Sequence, residues 1–170
     1  MIKRSPLFFL ILLFSAMLSL SCNREGSLLN DHGGLPESAL VEEAVDGDTV
    51  RISGGKLVRY IGIDAPELRR KSGGRWIYDP IPFSKEAYEV NKRLVEGKNV
   101  RLEYDKEKTD KYNRILVYLY VGDIFVNGEM IKTGLARASI YPPNEKYAGL
   151  LINLEKDAKE SKMGMWGVNN

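Results

Sequence analysis

Histidine and cysteine are almost missing from this 170-residue sequence, with His32 and Cys22 each standing alone. A single cysteine excludes an intramolecular disulfide. One histidine and one cysteine are too few nitrogen and sulfur ligands for a zinc centre. Excess charge of one sign is missing as well. The formal net charge of +2 comes from Lys3 and Arg4, because residues 22–170 hold 23 basic and 23 acidic residues. Bulk charge therefore argues for no nucleic-acid partner, and any such argument must come from local patches. No long hydrophobic run is present either. The apolar stretch Leu7–Leu20 has fourteen residues and is broken by Ser15 and Ser19, short of the roughly 20 needed to span a bilayer. Internal repeats are absent. What is present is 44% hydrophobic residues, enough for a real core and against global disorder.

The N-terminal segment carries Lys3 and Arg4 before the apolar stretch and small residues Ser19 and Ser21 after it. Residues 1–21 read as a signal peptide, with an uncleaved anchor as the alternative. Cys22 directly follows, in the position of the lipidated cysteine of a bacterial lipoprotein precursor. Ser19 departs from that pattern, which usually has leucine there, and ordinary cleavage leaving a free or discarded thiol stays open. Residues 22–39, rich in Gly, Ser, Asn and charge, read as a flexible tether, and residues 40–170 as one domain.

Within that domain, Leu40–Val45 and Thr49–Ile52 flank the turn signal Asp46-Gly47-Asp48, and Lys56–Ile63 follows Gly54-Gly55 as a third strand. Asp64–Pro82 reads as a long polar loop, of a length that is usually functional or disordered. Ser84–Glu96 fits a helix with Ser84 as N-cap and Gly97 as stop. Asn99–Tyr104 and Arg114–Val121 read as strands, Asn127–Gly134 as a short helix with asparagine at its start, and Tyr147–Met163 as a longer helix buried along Tyr147, Leu151, Leu154 and Ala158. This order predicts an α+β fold, a closed five-stranded β-barrel with about three helices. Such barrels, OB-folds among them, commonly bind nucleic acid on one face.

Three acids at strand ends, Asp48, Asp64 and Glu67, are placed to converge on one side of a sheet. Oxygen ligands of this kind suit Ca²⁺ or Mg²⁺. Arg59 and Arg114 lie on or beside strands, and a guanidinium fork matches phosphate oxygens. Acids for a metal, a spare carboxylate and two arginines are what metal-assisted phosphodiester hydrolysis needs. Each piece has a plainer reading when taken alone. Asp-Gly-Asp is first a turn, and it fails the EF-hand loop pattern. The arginines can snorkel at a barrel rim. Lys111 and Tyr112 fit an ordinary solvated hairpin tip. Arg69, Arg70, Lys71 and Arg75 fit either a basic lip for phosphates or a solvated loop.

Taken together, Val45-Asp46-Gly47-Asp48-Thr49-Val50, Val58-Arg59-Tyr60-Ile61-Gly62-Ile63-Asp64-Ala65-Pro66-Glu67 and Thr109-Asp110-Lys111-Tyr112-Asn113-Arg114 resemble the staphylococcal nuclease family. The likeness continues through Val126–Ala136 to the helix before Trp166. It implies a calcium-dependent nuclease cutting DNA, RNA or both at the 5′-oxygen to leave 3′-phosphate ends. Asp48, Asp64 and the Ala65 carbonyl would then bind Ca²⁺, with Asp46 in support. Glu67 would position or deprotonate the attacking water. Arg59 and Arg114 would hold the phosphate, and Lys111, Tyr112 and Tyr141 would bind the neighbouring nucleotide. The family carries further tyrosines before Tyr141, where this sequence has Ala138-Ser139-Ile140. Asn113 stands where glycine is usual, and asparagine tolerates the left-handed backbone.

With its leader and Cys22, the chain reads as an exported, envelope-tethered or secreted monomer. Two other classes remain open: a non-catalytic nucleic-acid-binding module, and a surface lipoprotein that uses the barrel as scaffold.

Overall fold

The computed structural model describes residues 34–168. The expected signal peptide, Cys22, His32 and the tether up to residue 33 lie outside the described residues.

Ten strands and three helices follow in chain order: β1 Ser38–Ala44, β2 Thr49–Ile52, β3 Leu57–Tyr60, β4 Ile63–Asp64, β5 Arg69–Ser72, β6 Arg75–Tyr78, α1 Ser84–Val95, β7 Asn99–Glu103, β8 Ile115–Val121, β9 Ile124–Phe125, α2 Val126–Lys132, β10 Arg137–Ala138 and α3 Ala148–Glu160. Five of the strands pair in the order β3-β2-β1-β7-β8, and β3 then pairs with β8 to close the barrel. The first four pairings are antiparallel, whereas the closing one is parallel, setting Val58, Arg59 and Tyr60 beside Ile115, Leu116 and Val117. This closed α+β barrel with three helices is the expected OB-type fold. Closure leaves no open edge in a small sheet.

Side-chain alternation fills the interior. Val41, Val50, Ile52, Val58, Tyr60 and Leu119 are essentially inaccessible to water. Full burial of an aliphatic side chain contributes about 1.5–3 kcal/mol, so the inner face of each strand is worth more than its backbone propensity. Ala87 and Val95 of α1, and Met130 and Ile131 of α2, are buried in the same core cluster. Helix α3 packs on α2 through the predicted stripe: Leu151 and Ala158 are buried, and Tyr147 and Leu154 pack against the core.

Several local expectations change. The stretch read as tether already contains the start of β1, since Ser38, Ala39 and Leu40 pair with Arg101, Val100 and Asn99. The third strand stops at Tyr60; Gly62 at φ 78° turns the chain, and Ile63–Asp64 pairs with β10 instead. Residues 64–82 are not an irregular loop: β5 and β6 form a hairpin across Gly73-Gly74, whose φ values are 55° and 78°. Positive φ at both central residues is what a tight two-residue hairpin turn demands. Ser84 is not the cap of α1 but its first residue. Phe83 holds the cap position at φ 68°, and the Ser84 hydroxyl donates to the Ile81 carbonyl at 2.6 Å. Gly97, at φ 73° just past the end of α1, does act as the expected stop.

Asn127 does not cap α2 either. It lies inside the helix, fully buried, and ties the barrel together. Its Oδ1 accepts the Leu119 N–H at 2.9 Å, and its Nδ2 donates to the carbonyls of Ile61 at 2.9 Å and Val117 at 3.4 Å.

Candidate active site

The Asp46-Gly47-Asp48 turn joins β1 to β2 and is pressed against two neighbours. A Cβ at Gly47 would lie 2.6 Å from the Ala65 Cβ and 2.8 Å from the Ala87 Cβ. Glycine is needed here for close approach rather than for an unusual φ. The turn is also tied from behind: Asn91 of α1 donates from Nδ2 to the Asp46 carbonyl at 2.7 Å and accepts the Tyr60 hydroxyl at 2.8 Å. Burial pushes the Tyr60 hydroxyl far above its ordinary value, so it stays a donor at any working pH. Sequence reasoning missed Asn91 and Tyr60, because their partners lie far away along the chain.

Asp48 is 1% exposed. Its Oδ2 accepts the Ala65 N–H at 2.7 Å, and its Oδ1 accepts the Thr49 hydroxyl at 3.1 Å. Arg59 reaches both flanking acids. Nη1 pairs with Asp48 Oδ1, while Nη2 donates to Asp64 Oδ1 at 2.8 Å and to the Ile63 carbonyl at 3.2 Å. Asp48 and Asp64 therefore converge on one cationic group. Among the described residues no three acidic, histidine or cysteine side chains close into a cluster. Two carboxylates drawn to one cation, in a donor set made wholly of oxygen, fit a hard divalent ion.

A second turn faces this one. The Asp110 carboxylate accepts the N–H groups of Tyr112 and Arg114 through Oδ1, both at 2.9 Å, and the Arg114 Nε through Oδ2 at 2.7 Å. Asn113 takes the expected left-handed backbone, φ 60°. Burial tends to raise the Asp110 carboxyl, but the bonds from Arg114 and Tyr112 outweigh it and hold the group below the usual carboxylate range. Asp110 thus aims Arg114, a role the sequence reading did not assign. The signal lay in its spacing, since an aspartate two residues before a turn N–H commonly accepts it.

Two clefts meet at Asp64. One, of about 620 Å³, is lined by Arg59, Asp64, Lys111, Tyr112, Arg114, Ser139 and Tyr141. The other, of about 540 Å³, is lined by Asp64, Ala65, Pro66, Glu67, Arg137 and Met165. Of the described candidates for metal, phosphate or nucleotide, all but Asp46 and Asp48 line one of these clefts, Asp48 contacting Arg59 and Ala65 beside them, whereas the basic candidates Arg69, Arg70, Lys71 and Arg75 line neither. Arg137 is an unforeseen member. The β4–β10 pairing sets it opposite Asp64, a neighbour that no local pattern reveals.

Electrostatics separate the acids. Desolvation, followed by the negative charges of Asp46 and Asp64, holds the Glu67 carboxyl above its ordinary range, with Arg59 and Arg114 pulling the other way. Burial likewise raises Asp46, opposed chiefly by Arg59. A carboxylate with raised proton affinity beside two arginines can accept a proton from water while the arginines meet growing negative charge.

Known proteins resemble the chain over most of its length. The family model described as "Staphylococcal nuclease homologue" matches residues 57–168. The chain is 40% identical over 134 residues to a thermonuclease of Staphylococcus intermedius, covering 76% of each protein. It is 38% identical over 130 residues to a thermonuclease of Staphylococcus hyicus, covering 74% of this chain and 73% of that one. It is also 37% identical over 131 residues to endonuclease YncB of Bacillus subtilis, covering 74% of this chain and 60% of that protein.

Proposed function

Because the chain belongs to the staphylococcal nuclease family, we propose that it is a calcium-dependent nuclease hydrolysing phosphodiester bonds of DNA, RNA or both, cutting at the 5′-oxygen to leave 3′-phosphate ends. The observation that carries this reading is the meeting of Arg59, Asp64 and Arg114 in one cleft that shares Asp64 with the cleft holding Glu67.

Asp48, Asp64 and the Ala65 carbonyl, supported by Asp46, are the residues that would hold Ca²⁺, whose chemistry when bound is that of a Lewis acid toward a phosphoryl oxygen. Arg59 and Arg114 donate to the non-bridging phosphate oxygens, more strongly as phosphorus becomes five-coordinate. Glu67 accepts a proton from the attacking water on its carboxylate. The water oxygen bonds to phosphorus as the bond to the 5′-oxygen breaks, and that oxygen leaves as a hydroxyl after taking up a proton. Lys111 and Tyr112, exposed at the rim, meet the flanking phosphate and nucleotide, with Tyr141 across the cleft.

The test is direct. The full chain should nick and degrade plasmid DNA with Ca²⁺, stop in a calcium chelator, and recover when Ca²⁺ is returned in excess. Cutting that persists in chelator would remove the metal assignment, and no cutting at any metal concentration would remove the nuclease. For the N-terminal segment, the same reading has a monomer exported and anchored through lipid on Cys22. An unmodified N-terminus beyond residue 22, seen by intact-mass measurement, would exclude the anchor.

A further inference from the structure

One element is not used by this chemistry. The β5–β6 hairpin has every strand residue exposed, and it presents Trp76 and Tyr78 at 67% and 62% exposure. Such large aromatic surfaces facing water mark interaction sites. Register shows what accompanies them: Lys71 lies opposite Trp76, and Arg69 opposite Tyr78. Directly opposed residues share a face of a strand pair, so one face carries two aromatics, each beside a cation. The other face carries Arg70 with Ile77 and Ser72 with Arg75, and there Arg70 is already paired with Asp79. Lys85 adds a further charge, its Nζ lying 6.0 Å from the Tyr78 ring centroid.

The hairpin is fastened to the site. At its base the Asp79 N–H donates to the Leu68 carbonyl at 3.0 Å, and the Ile81 N–H to the Glu67 carbonyl at 3.4 Å. Whatever binds the hairpin is therefore a near neighbour of the segment that carries Glu67.

We propose that the Arg69, Lys71, Trp76 and Tyr78 face is a docking surface for single-stranded nucleic acid, stacking two unpaired bases of the substrate beside the cleft. The proposal rests on the nucleic-acid reading of the site given above. Trp76 and Tyr78 are two residues apart on one strand, hence about 6.7 Å apart along it, so each ring can take its own base. Aromatic platforms interleaved with cations bind single strands with little sequence preference, because every base offers a π-face and every nucleotide a phosphate. Bases in a duplex are already stacked on each other and cannot use such a platform. A lipid surface fits less well. Insertion needs a continuous apolar face, whereas here cations alternate with the rings and Ile77 lies on the opposite side.

The experiment uses the full chain in chelator, so that binding is read without turnover. A labelled oligothymidylate of about 12 nucleotides is suitable, within the site sizes usual for such barrels. Trp76→Ala and Tyr78→Ala should each weaken its binding by about tenfold, in the lower part of the range for losing one stacked base. Trp76→Phe should retain most of the affinity, and binding of a blunt duplex of equal length should not respond to any of the three substitutions. The strand should also quench tryptophan fluorescence in the unmodified protein, a readout that needs no variant to fold. Trp166 is the only other tryptophan, so Trp76→Ala, with folding confirmed by circular dichroism, should abolish the quench. Unchanged single-strand affinity, an equal loss on duplex, or a quench by phosphatidylglycerol vesicles with none by the oligonucleotide would each overturn the proposal. A chain that binds the strand but never cuts sinks the nuclease and leaves this surface standing. A chain that cuts while its affinity ignores Trp76 and Tyr78 does the reverse.

Discussion

Under the proposed mechanism, single side chains divide into those that act on the phosphate or on its attacking water and those that aim them. Glu67, acting on the water, and Arg114, acting on the phosphate, belong to the first group. Glu67→Gln keeps the shape but cannot take a proton, and Arg114→Ala removes a donor to the five-coordinate phosphate. Each should lower kcat by at least about 10²-fold, the lower range for losing one such group. KM should move much less, as expected for interactions made in the transition state. Steady-state kinetics on single-stranded DNA will show it, and near-normal kcat in folded variants would send the site back to a binding role. Asp110 belongs to the second group. Its folded-state pKa lies below the unfolded value, so its contribution to stability is present above the unfolded value near 3.8 and is lost as pH falls through the folded one. Asp110→Asn should therefore cost about 1 kcal/mol at neutral pH, allowing for solvent screening. That difference should shrink toward zero in thermal melts taken at progressively lower pH. A gap that stays constant with pH would show that the carboxylate charge is not what holds Arg114. Asp48, Asp64, Glu67, Arg59 and Arg114 each have a plainer reading alone, and stand out through the ordered strings they form together. Arg137, Asn91 and Tyr60 could not be picked out, since each acts across a long stretch of chain.

Among the elements, strands with alternating burial were legible and turns were less so. The barrel strands announce themselves through runs such as Ile115–Val121, whose inner positions are buried. Helix α3 was found from its stripe but runs only from Ala148 to Glu160, because Lys162 and Gly164 adopt positive φ and bring the chain back. The β5–β6 hairpin was read as a loop because its strands are exposed on both faces, and alternation marks a strand only when one face is buried. The Gly73-Gly74 pair was the remaining signal. Helix α2 shows a different failure. Asn127 fits a helix start by residue type, yet its amide fills three backbone bonds of the barrel. Asn127→Ala should then destabilise the protein by about 2–3 kcal/mol, since it removes the partner of the buried Leu119 N–H and the side-chain donor to the Ile61 carbonyl. Urea denaturation should show a lower midpoint with an unchanged slope. A cost of a few tenths of a kcal/mol, the scale of an exposed helix position, would return Asn127 to the sequence-based reading.

For the whole molecule, the calcium reading makes a prediction that does not depend on catalysis. An ion bound only by the folded chain stabilises it by about 2.7 kcal/mol when present at a hundred times its dissociation constant. For a domain of this size that raises Tm by roughly 10 °C. Ca²⁺ should shift the melt of the unmodified chain in this way, and Asp64→Asn should lose most of the shift. An equal shift in that variant would place the ion elsewhere. The barrel is closed by its one parallel pairing among the core strands, β3 with β8, and the two arginines of the site sit on that pairing: Arg59 within β3, and Arg114 just ahead of Ile115. Before the ends meet, the cleft that holds both arginines does not exist, and their guanidinium groups belong to distant parts of a loose chain. Long-range pairings of this kind form late, because the entropy of joining them must be met first. On the proposed function, competence is therefore tied to closure of the barrel rather than to synthesis of the residues. A nuclease of the proposed kind that is exported unfolded would pass its own cell's nucleic acids as a harmless polymer, and would cut only where the barrel closes.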